Sequence, residues 1–351
     1  MKARSWLLMA ATCLAVVGVE TATAQQKSIT VSSWGGAFQK AQRQAWFDLV
    51  EKELGITVKE ETTQGIADVR AQVASGKPTW DLTTQGYYTC ALLEKEGRLE
   101  KLDPAIVNDP GVPASLKSDH CMSQIVYSVA IGWRKNSKGW DNRQPKGWDA
   151  FWNVKDFPGG RSMRRHPIYN MEAALIADGV PMDKLYPLDV ERAFKKLESM
   201  KPHVVVWWNS GAQSVQVLQD GEVEMVGAWN GRIQAAMGEK DGRGGPIGIT
   251  FDQQMLVSDA WMMPKGAPNK ELAMKALAIM MRPDAQASIS KYINYAPANL
   301  KGYDTGIITK EMAAGLPNSP ENVGKGFVMS VDWWVQNNDE MVKRFDAFLQ
   351  K

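Results

Sequence analysis

Two aromatic segments at matching places in the chain carry the first sign of chemistry. Val204-Val205-Val206 runs into Trp207-Trp208-Asn209-Ser210-Gly211, a helix-like stretch follows to Leu218, and Asp220-Gly221 makes a turn. A second apolar stretch, Val223 to Ala228, then runs into Trp229-Asn230-Gly231-Arg232. Read as strand–helix–strand, this puts Trp-bearing loops beyond the carboxyl ends of two strands, where open α/β sheets bind ligands. Ring faces attract cations and the free N–H groups of helix starts attract anions, so the combination suits a small charged molecule. Each Trp taken singly fits core packing better. Their repetition at strand ends is what favours a ligand.

The surrounding elements follow the same alternation. Ser28 to Ser32 reads as a strand, Ser33-Trp34-Gly35-Gly36 as a loop, and Phe38, Ala41, Ala45 and Leu49 as one helical face stopped at Gly55. Ile56 to Glu60 is a second strand, Ile66 to Ser75 a helix, and Asp81 to Thr84 a third strand opening into a loop, Gln85-Gly86-Tyr87-Tyr88. Another strand spans Ile125 to Trp133, and residues 134–148 are polar connection rich in Lys, Asn, Gly and Pro. A second α/β set begins near Gly160, with strands at Ile247–Phe251 and Ala260–Met263, a helix from Leu272 to Met281, and a mostly helical end that includes Trp333-Trp334. Strands alternating with helices predict an α/β sheet covered on both faces.

Residues 1–24 read as a secretory leader. Lys2 and Arg4 precede an apolar stretch, Trp6 to Val19, and Ala22-Thr23-Ala24 has the small-x-small pattern of a cleavage site. Cleavage after Ala24 predicts export to the periplasm, and Thr12-Cys13 fits a lipoprotein site poorly. No later run is apolar and long enough to span a membrane. The 351-residue chain is long enough for two domains, and its formal charge of +2 gives no support for nucleic-acid or membrane-surface binding. Cys90 and Cys121 remain after the leader and pair in an oxidising compartment if geometry permits. Such a loop contributes about 3–4 kcal/mol in the chain-entropy model, and two separate buried thiols are the alternative.

Catalytic chemistry finds little support. His120, His166 and His203 do not stand at i, i+4 with an acid, and no Gly-x-Ser-x-Gly elbow occurs. No third and fourth ligand accompany the cysteines at metal-like spacing, and Gly242 to Gly245 reads as a loop, not a dinucleotide-binding turn. No enzyme activity, metal or cofactor is expected.

Three further segments carry a family resemblance. These are Pro145-Lys146-Gly147-Trp148-Asp149-Ala150-Phe151-Trp152 with Phe157-Pro158-Gly159-Gly160; Asp220-Gly221-Glu222-Val223 leading to Trp229-Asn230-Gly231; and Arg282-Pro283-Asp284-Ala285-Gln286 followed by Asn294-Tyr295-Ala296-Pro297-Ala298-Asn299. In this order and spacing they resemble the periplasmic solute-binding proteins of polyamine-type ABC importers, over nearly the whole mature chain. The resemblance implies a type II two-lobed α/β fold with hinge strands, closing over a small solute. It also implies a permease and ATPase complex in the inner membrane as partner, with the binding protein a monomer. The composition shift after Trp133 and the return of strand pattern near Val257 place lobe 1 at 25–131 and 258–298, and lobe 2 at 132–257 and 299–351.

Relatives that bind putrescine or spermidine hold the amines among aromatic rings and carboxylates. The resemblance assigns the rings to Trp34, Trp229 and Tyr295, and one amine-binding acid to Asp259. A further glutamate of the family falls at Tyr169, and the acid three residues after the loop Trp is Arg232 here. Arginine repels a diamine's second ammonium and offers a carboxylate a bidentate fork. Asp259 for an amine and Arg232 for an acid group together point to a zwitterion, as in the γ-aminobutyrate-binding members of the family. The alternatives are an Arg232 that faces solvent or pairs with Glu224 or Asp259, leaving a polyamine site. The candidate ligand-binding set is Ser33, Trp34, Gly36, Gln85, Tyr87, Tyr169, Trp229, Arg232, Asp259 and Tyr295. Adjacent tyrosines such as Tyr87-Tyr88 also occur in ferric-ion binders, but cleft lining fits them better here.

Overall fold

The computed structural model describes residues 27–104, 109–237 and 246–350. The leader, its cleavage site and the Gly242–Gly245 loop lie outside those residues. The chain begins with β1 (Ser28–Ser33), where Ile29 and Val31 alternate inward. Parallel neighbours flank it, β2 (Thr57–Thr62) and β3 (Leu82–Gly86). Two long strands follow in the middle of the sheet, β4 (Cys121–Arg134) and β8 (Ile247–Met262), antiparallel to each other along most of their length. Beyond them lie β5 (Arg161–Arg164), β6 (Val204–Trp208) and β7 (Met225–Trp229). The hydrogen-bonded order is β2-β1-β3-β8-β4-β7-β5-β6, so one sheet runs unbroken from end to end.

Buried side chains divide differently from the hydrogen bonds. One core gathers Ile29, Trp46, Leu82, Ile125, Trp261, Leu277 and Tyr295. Another gathers Ile131, Trp148, Phe151, Leu197, Met255, Trp334 and Phe345, with a smaller one around Trp208, Leu218 and Ile233. Along β4 the change of core falls between Tyr127 and Val129. Cys90, in the helix Tyr88–Lys95, is disulfide-bonded to Cys121 at the start of β4.

Two local expectations need correction. A five-residue π-helical stretch, Arg43–Phe47, separates the helices Gly36–Gln42 and Asp48–Leu54. The wider turn shifts the phase by one residue, so Val50 is fully buried in the core while Leu49 packs against it half-buried. The strands expected at 247–251 and 260–263 are one strand, because the polar residues between them have partners. Gln254 is buried and its Nε2 donates to the carbonyls of Pro317 (2.9 Å) and Asn322 (2.8 Å). The Oε1 of Gln253, a residue at φ +60°, accepts the N–H of Trp148 at 2.6 Å.

Candidate functional site

The carboxyl ends of β1, β3, β5 and β7 meet mid-strand positions of β4 and β8 around one cavity. Its empty volume, adjoining solvent included, is about 410 Å³, and little of it is wide enough for a water-sized sphere. The wall is aromatic, from Trp34, Phe38, Tyr88, Tyr127, Tyr169, Trp229 and Tyr295, and carries three ionisable groups of fixed sign, Arg164, Arg232 and Asp259.

Asp259 lies in β8 opposite Gly86 on one side and Ile125 on the other, which aims its side chain from the sheet centre. The Nε1–H of Trp34 donates to its Oδ2 at 2.7 Å, and the Tyr127 hydroxyl to its Oδ1 at 2.8 Å. A carboxylate accepts about four bonds, so each oxygen keeps a lone pair for a ligand. Burial pushes its pKa up to about 6, against the pull of those two hydrogen bonds and of Arg164 and Arg232. Its charge in turn helps hold the Tyr127 hydroxyl well above the ordinary tyrosine range, where burial is the larger cause.

Arg232 is the third residue of the helix Asn230–Met237, which starts directly at the end of β7. Asn230 fixes that start: its Oδ1 accepts the Ser128 N–H (2.9 Å) and its Nδ2 donates to the Asn294 carbonyl (2.7 Å). Arg232 is only 5% exposed, so it does not face solvent. Its Nη2 donates to the Gly35 carbonyl at 3.2 Å, while Nε is buried without a partner. Glu224 is occupied elsewhere, accepting the Gly160 N–H at 2.6 Å and lying 3.6 Å from Arg134. Trp229 packs edge-on against Trp208 (5.3 Å) and Tyr127 (6.2 Å), and its Nε1 also lacks a partner.

Tyr169 precedes the helix Asn170–Ala177 at φ +77°, a conformation that costs a non-glycine residue energy and needs support. Buried bonds supply it. The Tyr169 N–H donates to Glu172 Oε2 (2.9 Å), and Glu172 Oε1 accepts from Trp334 Nε1 (2.6 Å) and the Tyr186 hydroxyl (2.7 Å). Tyr295 is buried against Phe38 and Tyr127, each at 5.4 Å between ring centres.

Trp34, Tyr169, Trp229, Arg232, Asp259 and Tyr295 are therefore brought together. Gly36 stands just behind Arg232, where at φ +57° a Cβ would lie 2.8 Å from Nη1. Ser33 and Gln85 do not reach the wall. The Ser33 hydroxyl donates to Gln42, and Gln85, still within β3, donates to Thr63 (3.3 Å) and Thr83 (3.2 Å). Tyr87 and Tyr88 both line a neighbouring apolar cavity with Leu116 and Val257, and of the two Tyr88 also lines this one. Among the described residues no group of three or more His, Cys, Asp or Glu is arranged to hold a metal ion.

Five wall residues stood outside the candidate set: Phe38, Gly86, Tyr88, Tyr127 and Arg164. Arg164 had a signal, being an arginine at the end of a strand that is otherwise buried. Its guanidinium lies over the rings of Tyr169 (5.1 Å), Trp229 (5.6 Å) and Trp208 (5.9 Å). The register pairs Arg164 with Trp208 on β6, and β7 lies on the other side of β5, which explains two of the three.

Comparison with known proteins agrees with this architecture. Residues 45–315 match the family of bacterial extracellular solute-binding proteins. A gamma-aminobutyric acid-binding protein of Pseudomonas aeruginosa is 36% identical over 93% of this chain and 92% of its own. Among solved structures, an ABC transporter substrate-binding protein from Bradyrhizobium japonicum is 42% identical, with a TM-score of 0.85 over 93% of this chain and 100% of that one. A binding protein from A. tumefaciens B6, in complex with glucopine, is 35% identical with a TM-score of 0.86, covering 92% and 99%. Matched in sequence and fold over nearly its whole described length, this chain belongs to the bacterial extracellular solute-binding proteins, as the solute-binding component of an ABC importer.

Proposed function

We propose that the solute is a zwitterion of the ω-amino acid type, such as γ-aminobutyrate, with its ammonium on Asp259 and its carboxylate on Arg232. The observation that carries this is the pair of opposite charges buried in one small aromatic cavity, with the N–H groups of Arg232 Nε and Trp229 Nε1 left unpartnered. Unpaired buried donors cost about 1–3 kcal/mol each, which an acceptor on the solute would recover. The printed ligand of the P. aeruginosa relative supports the same class. Ser33, Gln85 and Tyr87 act at most through neighbours in this reading, and Gly36 by making room for Arg232.

The two cores would then move as lobes, 25–131 with 258–298 and 132–257 with 299–351, hinged where β4 and β8 pass between them. The continuous sheet is compatible with this only because those two strands are shared. The leader pattern supports export to the periplasm and capture there by a monomer, for delivery to a permease and ATPase. No helix of the described residues is long and apolar enough to cross a membrane.

Calorimetry with γ-aminobutyrate and putrescine tests the assignment. The wild type should prefer γ-aminobutyrate. Losing one partner of a desolvated charge pair costs about 2–5 kcal/mol, so Arg232→Asp should weaken γ-aminobutyrate binding roughly 30-fold or more and move preference toward putrescine. A wild type that prefers putrescine would return the site to the polyamine class.

A further inference from the structure

Two cavities lie back to back in this molecule. Tyr127, Tyr169 and Asp259 wall the solute cavity, while Val126, Ile168 and Ser258 wall a larger one of about 870 Å³, adjoining solvent included. Each residue of the first set follows one of the second in the chain. The backbones of β4, of β8 and of the segment before the helix Asn170–Ala177 therefore run as a partition between the two spaces. Successive strand residues point to opposite faces, which is how β4 and β8 serve both. Among the described residues one alone borders both cavities, Tyr88.

Two contacts hold the Tyr88 ring in that place. Gly86, at the end of β3, leaves the room the ring occupies, since a Cβ there would lie 2.7 Å from Tyr88 Cε1. At the other end of the side chain, the Arg164 guanidinium donates a hydrogen bond to the Tyr88 hydroxyl. Arg164 is itself seated over the rings of Tyr169 and Trp229. The helix Tyr88–Lys95 that carries Tyr88 is anchored to the start of β4 by the Cys90–Cys121 disulfide.

The space behind Tyr88 is suited to an apolar group. Leu116, Leu256, Val257 and Met329 line it, and polar groups in its wall are already bonded. The Ser258 hydroxyl donates to the Ile125 carbonyl at 2.8 Å, and Trp334 Nε1 to Glu172 at 2.6 Å. We propose that Tyr88 is a specificity-determining residue that limits the size of the solute. Its ring closes the solute cavity on one side, so an unbranched chain fits and one with an apolar branch is refused, although room for that branch lies directly behind the ring. The limit is one of volume and applies to a zwitterion and a diamine alike.

Calorimetry with γ-aminobutyrate and with its derivatives bearing one phenyl group on carbon 2, 3 or 4 tests this. The wild type should bind every derivative at least about 100-fold more weakly than γ-aminobutyrate, because a packed wall does not yield to an added ring. Tyr88→Ala joins the two cavities and should narrow that gap by about tenfold or more for at least one derivative. Tyr88→Phe keeps the ring and should keep the gap. Should the alanine variant fail to fold, Tyr88→Leu, which retains apolar bulk beside Gly86 but lacks the ring, gives the same readout. The proposal is overturned if the wild type binds a phenyl derivative as tightly as γ-aminobutyrate, or if losing the ring leaves the gap unchanged for all three, as a residue that merely packs would. Binding of putrescine and not of γ-aminobutyrate removes the zwitterion assignment alone. The comparison of putrescine with its 2-phenyl derivative then decides the role of Tyr88 by the same criterion.

Discussion

Asp259 is held in a state the fold alone would not choose. Burial raises its pKa from 3.8 to about 6, so keeping it ionised at neutral pH costs on the order of 3 kcal/mol. The sign follows from linkage. The folded protein binds this proton more readily than the unfolded chain, so the cost is present above pH 6 and disappears as pH falls through 6 toward 3.8. An ammonium on the solute compensates the same charge, which makes the cost of the empty site part of the driving force for binding. Affinity should therefore fall as pH drops below about 6, by roughly tenfold per unit, as one proton replaces the solute cation. Calorimetry at pH 7.5 and pH 5 checks this, and an unchanged affinity would mean that Asp259 does not hold the ammonium. Asp259→Asn should abolish the pH dependence, lose most of the affinity, and raise the melting temperature of the solute-free protein at pH 7.5.

Elements decide which residues reach the cavity, and glycine does so at the start of the first helix. Gly36→Ala would place a Cβ 2.8 Å from Arg232 Nη1 in a conformation that L-residues avoid. Gly55→Ala shares the positive φ, +63°, but meets nothing within 4 Å. Both should lose about 1 kcal/mol of stability through backbone strain, and only Gly36→Ala should also weaken solute binding, by about tenfold. Equal affinities in the two variants would separate Arg232 from the site. Much of this arrangement was legible in the sequence because period-2 and period-3.6 patterns mark strands and helices, and ligand groups gather where strands end. What stayed hidden were residues whose role depends on pairing across the sheet. Tyr127 sat within an apolar strand and gave no sign that its hydroxyl meets Asp259 from the neighbouring strand. Gln85 looked like loop chemistry, but its partners Thr63 and Thr83 satisfy it inside the sheet. The joining of β8 across Asp252-Gln253-Gln254 was equally invisible, since Gln254 finds its acceptors about sixty residues later, at Pro317 and Asn322.

For the whole molecule, the arrangement of charge relative to the two cores is the decisive feature. Trp34, Tyr127 and Tyr295 pack with the first core and Tyr169 with the second, while Trp229 touches both, and Asp259, Arg164 and Arg232 line the cavity among them. Acid and arginines thus line one cavity, and the Arg232 bond to the Gly35 carbonyl ties the helix after β7 to the loop after β1. If the cores move as lobes, separating them returns all three charges to water, and closing them without solute forfeits that hydration for little in return. A zwitterion changes the balance by giving acid and arginine a counter-charge each, so closure and binding become one equilibrium. On the proposed division into lobes, the shared strands β4 and β8 would bend, since the ladder between them continues through the change of core. Small-angle X-ray scattering should then show a smaller radius of gyration when a bound amino acid is added, and no change on adding it to Arg232→Asp. Identical scattering curves for the wild type with and without saturating solute would show a rigid molecule, in which the cavity admits its solute by side-chain motion alone.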